Sequence, residues 1–303
     1  MRVLVTGGAG FIGSHIVDRL VAAGHEVAIV DNLVTGRREQ ANPRARLHVL
    51  DIRDPGLGPV FDAARPEVVV HAAAQVSVAR SMADPVDDAS VNVLGTVALL
   101  QHCRRIRVRR VVYISTGGAG YGDADVIPTP ETHPARPVSP YGISKLTGER
   151  YVELWRDLEG LETVCLRLAN VYGPRQSPEG EAGVVAIFTE RARSGRVCVV
   201  NGDGEQTRDF IYVGDVADAV HRAVEQPTVG GILNIGTGRE TSVNQILAEL
   251  RGLMGDVPAR YGPARPGEQR RSVLDPRLAE RQLRWTATTS LKEGLRLTVA
   301  AAS

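Results

Sequence analysis

Tyr141 and Lys145 stand four residues apart in the segment SPYGISKLTGER, residues 139–150. Four residues make about one helical turn, so the phenol and the ammonium leave the same face. A cation beside a phenol favours phenolate and lowers a pKa that starts near ~10. Tyr141 could then act as a base near neutral pH. The chain has 36 lysines and arginines, and only Lys145 and Lys292 among them are lysines. A Tyr-x-x-x-Lys pair alone arises on many helices by chance. It gains meaning beside a second device that needs a base.

That device is MRVLVTGGAGFIGSHIVDRL, residues 1–20. Residues 2–6 read as a short apolar strand, and residues 11–20 as an amphipathic helix. Gly7, Gly10 and Gly13 lie between and within them at three-residue spacing. Glycines so placed allow a tight turn, let backbone approach a pyrophosphate and pack helix on sheet. The anion then rests on the unpaired N–H groups that open the helix, at Phe11 and Ile12. The next strand, 26–30, ends in Asp31, eighteen residues beyond Gly13. An acid there accepts both ribose hydroxyls of NAD and repels the 2′-phosphate of NADP. Arg37 and Arg38 follow and read as loop surface, so NAD is the expected cofactor.

Three further features bound the class. A net charge of +1 over 303 residues gives no electrostatic footprint for nucleic acid. The arginines between 104 and 110 read as a solvated helix end. Cys103, Cys165 and Cys198 are odd in number and lack metal-ligand spacing, which suits buried thiols in a reducing compartment. No apolar run approaches the ~18 residues of a spanning helix. A strand beginning at Arg2 leaves no room for a signal peptide. The expectation is a soluble cytoplasmic protein with no metal, membrane or nucleic-acid partner.

Strands at 2–6, 26–30, 46–50, 67–72, 110–115 and 162–169 alternate with helical patterns, notably 87–106 and 140–158. Val- and Ile-rich strands in that rhythm predict an α/β fold, a doubly wound parallel (Rossmann) sheet. The pattern changes after Asn170: residues 172–183 read as a long functional loop. Two βα-like passages follow at 232–236 and 242–254. The expected organisation is an NAD-binding domain over 1–170, with 212–240 returning to it. Residues 171–211 and 241–303 would form a smaller substrate-binding region over the C-terminal edge of the sheet.

The motifs TGGAGFIGSH, DIRD (51–54), HAAAQVSV (71–78), VNVLGT (91–96), ISTGGAGYG (114–122) and YGISK occur in order. RLANVYGPRQ (167–176), NGDGEQTRDFIYVGD (201–215), NIGTGRETSV (234–243) and RPGE (265–268) follow them. On these motifs the chain resembles the extended short-chain dehydrogenase/reductase superfamily over nearly its whole length. Within it, the chain is most similar to the nucleotide-sugar epimerases of the short prokaryotic UDP-glucose 4-epimerase type. The resemblance implies that Asp31 and Asn32 hold the adenosine ribose, and that Asp51 and Ile52 cap the adenine. Ala72, Ala73, Ala74, Gln75 and Asn92 would line the cofactor groove, and Lys145 would also bind the nicotinamide ribose. Asn170, Arg208, Arg265 and Glu268 match positions that hold UDP, with Val184, Val185 and Val200 cradling the uracil. The resemblance also implies a homodimer formed through the helices at 87–106 and 140–158.

The implied reaction is epimerisation at C4 of a UDP-hexose without net redox. Tyr141 removes the 4-hydroxyl proton as C4 gives a hydride to NAD, and the 4-keto sugar turns over and takes it back. Many relatives add a Ser or Thr four residues before the Tyr121-Gly122 pair; here that place is Gly117. Ser115 or Thr116 would supply the hydroxyl instead. Gly117 and Gly118 also occupy the places where 4,6-dehydratases carry an acid pair, which disfavours that reaction. UDP-glucuronate, with Arg80 or Arg175 as its cation, and N-acetylated hexoses are alternative substrates; decarboxylation and a non-catalytic NAD sensor are more distant ones. His71 reads as a satisfied core histidine, and Tyr172 as either core or sugar contact.

Overall fold

The computed structural model describes residues 1–179, 183–226, 228–264 and 269–301. The first elements are β1 (Arg2–Thr6), α1 (Phe11–Ala22), β2 (Glu26–Asp31), β3 (Arg46–Val49), α2 (Leu57–Ala64) and β4 (Val68–His71). Then α3 (Val78–Ala83), α4 (Pro85–Ala89), a π turn (Ser90–Leu94) and α5 (Gly95–Ile106) lead to β5 (Arg110–Thr116). A short α6 (Gly118–Tyr121) and the long α7 (Pro140–Glu159) precede β6 (Glu162–Leu168). The remainder runs β7 (Asn170–Tyr172), α8 (Val184–Arg193), β8 (Cys198–Asn201), β9 (Thr207–Arg208), β10 (Phe210–Tyr212), α9 (Val213–Glu225) and β11 (Gly231–Ile235). It ends with β12 (Thr241–Ser242), α10 (Val243–Met254), β13 (Ala259–Gly262), β14 (Arg271–Ser272), α11 (Arg277–Leu283) and α12 (Leu291–Ala301).

Seven strands form one parallel sheet in the order β11-β6-β5-β4-β1-β2-β3. Both faces are covered, which is why strands such as β1 and β4 are apolar without alternation. On one face Ile16 and Leu20 of α1 pack with Val216 and Val220 of α9. On the other, Leu57, Phe61, Leu99 and Val152 bring α2, α5 and α7 onto the sheet. The strand order reverses between β1 and β4, and a crevice at such a switch point is where ligands bind. A third cluster, including Tyr172, Phe188, Phe210, Ile246 and Leu250, organises the C-terminal region. There β7 pairs with β10, β8 with β13, and β9 lies between β12 and β14. Tyr172 is core, 2% exposed.

Two elements differ from expectation. The helical repeat over 87–106 is not one helix: Asp84 caps α4, Pro85 opens it, and the π turn interrupts it before α5. The extra residue of a π turn rotates the following side chains, and it carries Asn92 inward to 2% exposure. Arg110 is not solvated but fully buried. Its Nε and Nη2 donate to the carbonyls of Ala223 and Val229, each at 2.7 Å. The last carbonyls of α9 have no helical donor, and a guanidinium from the start of β5 answers one of them. Cys103, Cys165 and Cys198 are free and buried. No helix among the described residues is long and apolar enough to cross a membrane.

Candidate active site

The Gly-rich turn joins β1 to α1 at the switch point. Gly7 has φ +71°, and a Cβ there would lie 2.7 Å from the Ala73 nitrogen, so only glycine fits. Gly10 is the N-cap of α1 and offers no side chain to its N–H groups. Those of Phe11 and Ile12 therefore lack a helical partner and suit a diphosphate. Asp31 is held beside the turn because Oδ2 accepts from Ala9 N and Oδ1 from Leu33 N, both at 2.9 Å. Each carboxylate oxygen keeps a lone pair for a ribose hydroxyl. Asn32 donates to Asp51 at 2.9 Å, and Arg53 forks onto the same carboxylate at 2.8 and 3.0 Å. The Arg53 hydrogen bonds hold the Asp51 carboxyl well below the usual range. Ile52 turns its side chain into the core, 5% exposed, so a contact to adenine falls to its backbone.

The opposite wall is the turn after β4, Ala72–Gln75 in sequence, set by a buried relay. Ala73 N donates to Thr6 Oγ1 at 3.2 Å, and Thr6 Oγ1 lies 2.7 Å from His71 Nδ1. His71 Nε2 lies 3.0 Å from Thr96 Oγ1, which donates to the Asn92 carbonyl at 2.7 Å. A neutral ring with its proton on Nε2 satisfies every member, and burial pushes the His71 pKa down to about 3. His71 is a satisfied core residue. Asn92 Oδ1 accepts from Gln75 N at 2.8 Å while its amide donates to the Gln75 carbonyl, Asp88 and Ser144. Its polar atoms are thus spent on the frame, and Asn92 shapes the groove wall through Gln75. Ala74 completes the turn, partly buried.

Ser139 caps α7 and Pro140 sets its first turn, which places Tyr141 at the opening of the helix and Lys145 one turn on. The Tyr141 hydroxyl hydrogen-bonds Thr116 at the end of β5. Burial pushes this phenol up to about 12; the Thr116 bond acts in the opposite direction, and the Asp88 charge adds to the rise. Burial pushes Lys145 down to about 8, opposed by the charges of Glu149 and Asp88. Its ammonium rests over the Tyr113 ring, 4.3 Å from the centroid. The expected lowering of the Tyr141 pKa is therefore not met by the protein alone, because the phenol is desolvated and the ammonium is turned toward Tyr113.

Ser115 and Thr116 part company. Ser115 Oγ donates to Glu149 Oε1 at 2.5 Å, inside a buried pair in which Arg167 grips Glu149 at 2.9 and 2.7 Å. Its hydroxyl is committed to that carboxylate. Thr116 is the hydroxyl beside the base. Gly117 carries none, and a Cβ there would lie 2.6 Å from Leu274 Cδ1, so that leucine would have to shift to admit one. At Gly118 a Cβ would meet nothing nearer than Asn170 Oδ1 at 3.8 Å, so the space between β5 and β7 stays open.

On the substrate side, Asn170 is exposed on β7 and its side chain faces Gly118. Arg208 lies on β9 and donates to the Thr207 carbonyl at 2.8 Å. Val185 and Val200, each 1% exposed, point into the third core cluster, with Val184 partly buried against it. Burial leaves the Val185 and Val200 side chains no surface for a uracil, whereas the start of α8 at Gly183 has no side-chain cap and keeps its backbone N–H groups available. Arg265 and Glu268 lie outside the described residues. Arg80 pairs with Asp87 at 2.8 Å and Arg175 with Asp18 at 2.7 Å, so both cations considered for a hexuronate are engaged.

The model of the NAD dependent epimerase/dehydratase family matches residues 3–236, well over half of the chain. The chain belongs to this family. Among its relatives, the UDP-glucose 4-epimerase of Mycolicibacterium smegmatis is 45% identical over 306 residues, covering 99% of this chain and 97% of that one. The crystal structure of a Thermotoga maritima UDP-glucose 4-epimerase with UDP-glucose has a TM-score of 0.95 at 46% identity, covering 100% and 98%. That of the Thermus thermophilus UDP-glucose 4-epimerase with NAD has a TM-score of 0.93 at 45% identity, covering 99% and 98%.

This epimerase/dehydratase also holds residues that motif reading missed. Asp209, 1% exposed, gathers Thr237 N, Gly238 N and Leu274 N on its carboxylate, and so fixes Leu274 above Gly117. Asp88 and the Glu149–Arg167 pair surround Lys145 from below. An i, i+4 Lys145–Glu149 spacing was the one available signal for that pair.

Proposed function

We propose that this chain interconverts UDP-glucose and UDP-galactose by NAD-dependent epimerisation at C4. The observation that carries the reading is the Thr116–Tyr141–Lys145 group at the C-terminal edge of β5, across the crevice from the Gly-rich turn. NAD is held by the N–H groups of Phe11 and Ile12, by Asp31 with Asn32, and by the 72–75 turn. When bound it supplies a reversible hydride acceptor and a positively charged ring, the charge that the desolvated Tyr141 phenol needs. Tyr141 carries the proton from the sugar 4-hydroxyl and returns it to the 4-keto sugar after the ring has turned. Thr116 bridges the phenol and the hydroxyl, and Lys145 holds a cation one helical turn below.

Asn170, Arg208, Arg265 and Glu268 anchor UDP while leaving the hexose free to rotate. The open space beside Gly118 serves that rotation. Engagement of Arg80 and Arg175 leaves a hexuronate carboxylate without its cation, which favours the neutral hexose. Exposed apolar side chains on α4, the π turn and α7 (Val86, Leu94, Ile143, Leu154 and Leu158) form the face of a homodimer. Free buried thiols fit a cytoplasmic protein.

Proton NMR of UDP-galactose with purified protein and no added cofactor tests the function. Growth of the UDP-glucose anomeric signal is expected. No conversion, with NAD added as well, would remove the assignment; sedimentation as a monomer alone would remove the dimer.

A further inference from the structure

At the N-terminal edge of the sheet, opposite the Gly-rich turn, two imidazoles and a carboxylate converge. His25 follows the end of α1, while His221 and Glu225 lie one turn apart in the last turns of α9. One ligating atom from each falls within 4.8 Å of the other two. Glu225 Oε1 is 3.3 Å from His221 Nε2 and 3.6 Å from His25 Nε2. The His25 and His221 side chains are 6% and 10% exposed, yet beyond these Glu225 contacts His25 Nε2 and both ring nitrogens of His221 find no hydrogen-bond partner. Buried polar atoms are nearly always partnered, and two touching rings whose Nε2 atoms are met only by one half-exposed carboxylate ask for a ligand.

We propose that His25, His221 and Glu225 bind a divalent transition-metal ion of the zinc class. Imidazole with carboxylate is a donor set that zinc prefers. Zinc bonds of about 2.0–2.2 Å place tetrahedral ligands about 3.4 Å apart, close to the two shorter separations here. The third separation, between the two rings and within 4.8 Å, closes by a small rotation of either imidazole. The nearest guanidinium, Arg19, is already paired with Asp218 at 3.0 Å. Two helices end at this point, and their C-terminal carbonyls favour a cation. The ion would tie α9 to the first βαβ unit, segments far apart in the chain, and so stabilise the folded state.

The test is Zn2+ titration of the chelator-treated full-length protein by calorimetry, with thermal unfolding alongside. One equivalent bound at micromolar Zn2+ and a rise in Tm are expected. Both should weaken at least tenfold in Glu225→Ala, whose exposed side chain can be removed without harm to folding, and in His221→Gln. Turnover of UDP-galactose should not change in Glu225→Ala, because the site lies at the far edge of the sheet. Co2+ in place of Zn2+ should give a visible d–d band that the variants lose. Absence of a bound equivalent, or binding undiminished in both variants, overturns the site.

Discussion

Two buried cations meet α7 in opposite ways, Lys145 on the helix itself and Arg167 reaching it from β6. At its first turns Lys145 is 3% exposed, rests on an aromatic ring, and feels Glu149 and Asp88 only through space, so burial pushes it down to about 8. One turn further along α7, Glu149 accepts two bonds from Arg167 of β6, which is 4% exposed. Burial opposes that charge too, but the Glu149 bonds outweigh it and the Arg167 pKa is raised. One cation is left poised and the other is locked. A group that must exchange influence with substrate and cofactor is under-compensated, while the pair that fixes β5, β6 and α7 is satisfied within the protein.

The comparison can be broken at the locked end first. Glu149→Gln strips the partner from buried Arg167 and should cost about 3–5 kcal/mol of stability by denaturant unfolding. A loss under ~1 kcal/mol would mean that the pair is not load-sharing in the fold. At the poised end Lys145→Met should abolish most turnover and yet stabilise the protein at neutral pH. The sign follows from the lowered pKa: an unfolded lysine binds its proton up to about 10.5, the folded one only to about 8. The buried charge is thus a full penalty below pH 8, on the order of 3 kcal/mol. The stability advantage of Lys145→Met should shrink as pH rises from 8 toward 10.5. A difference that stays flat over that window would contradict the assignment.

Smaller effects separate the adjacent hydroxyls. Ser115→Ala removes a bond to a buried carboxylate and should cost about 1.5–3 kcal/mol with turnover largely kept. Thr116→Ala should keep stability and lose turnover about tenfold or more, steepest on the alkaline side of the pH–rate profile. The reverse pattern would exchange their roles. Smallest is Gly117→Ser, which restores the hydroxyl seen in many relatives at the expense of Leu274. It should destabilise by about 1–3 kcal/mol without raising turnover, and Leu274→Ala in the same chain should recover part of the loss.

Much of the first half was legible because its function lies in contiguous segments whose spacing is set by one strand, one turn and one helix. Gly7 and Gly10 stand in the turn, Asp31 at the strand end, and Tyr141 and Lys145 one turn apart on α7, the places that logic predicts. What escaped reading depends on contacts between distant segments. Leu274 reaching over Gly117 explains a missing hydroxyl that the local motif shows only as a departure. The π turn that buries Asn92, and the α9 carbonyl that buries Arg110, leave no mark in periodicity. Lowering of the Tyr141 pKa by Lys145 rests on spacing alone, whereas the folded chain turns the ammonium onto Tyr113 and raises the phenol by burial. In the C-terminal region the strands are two to four residues long, too short for a period of two to show that the side chains of Val185 and Val200 turn into the core.

The most direct test of the central claim follows the anomeric protons of UDP-galactose with the wild type and Tyr141→Phe side by side, with bound NAD measured in each. The account predicts that the variant retains its NAD and loses at least ~10³-fold in conversion, since the proton has no other carrier. Conversion within tenfold of the wild type, with NAD equally bound, would show that Tyr141 is not the base.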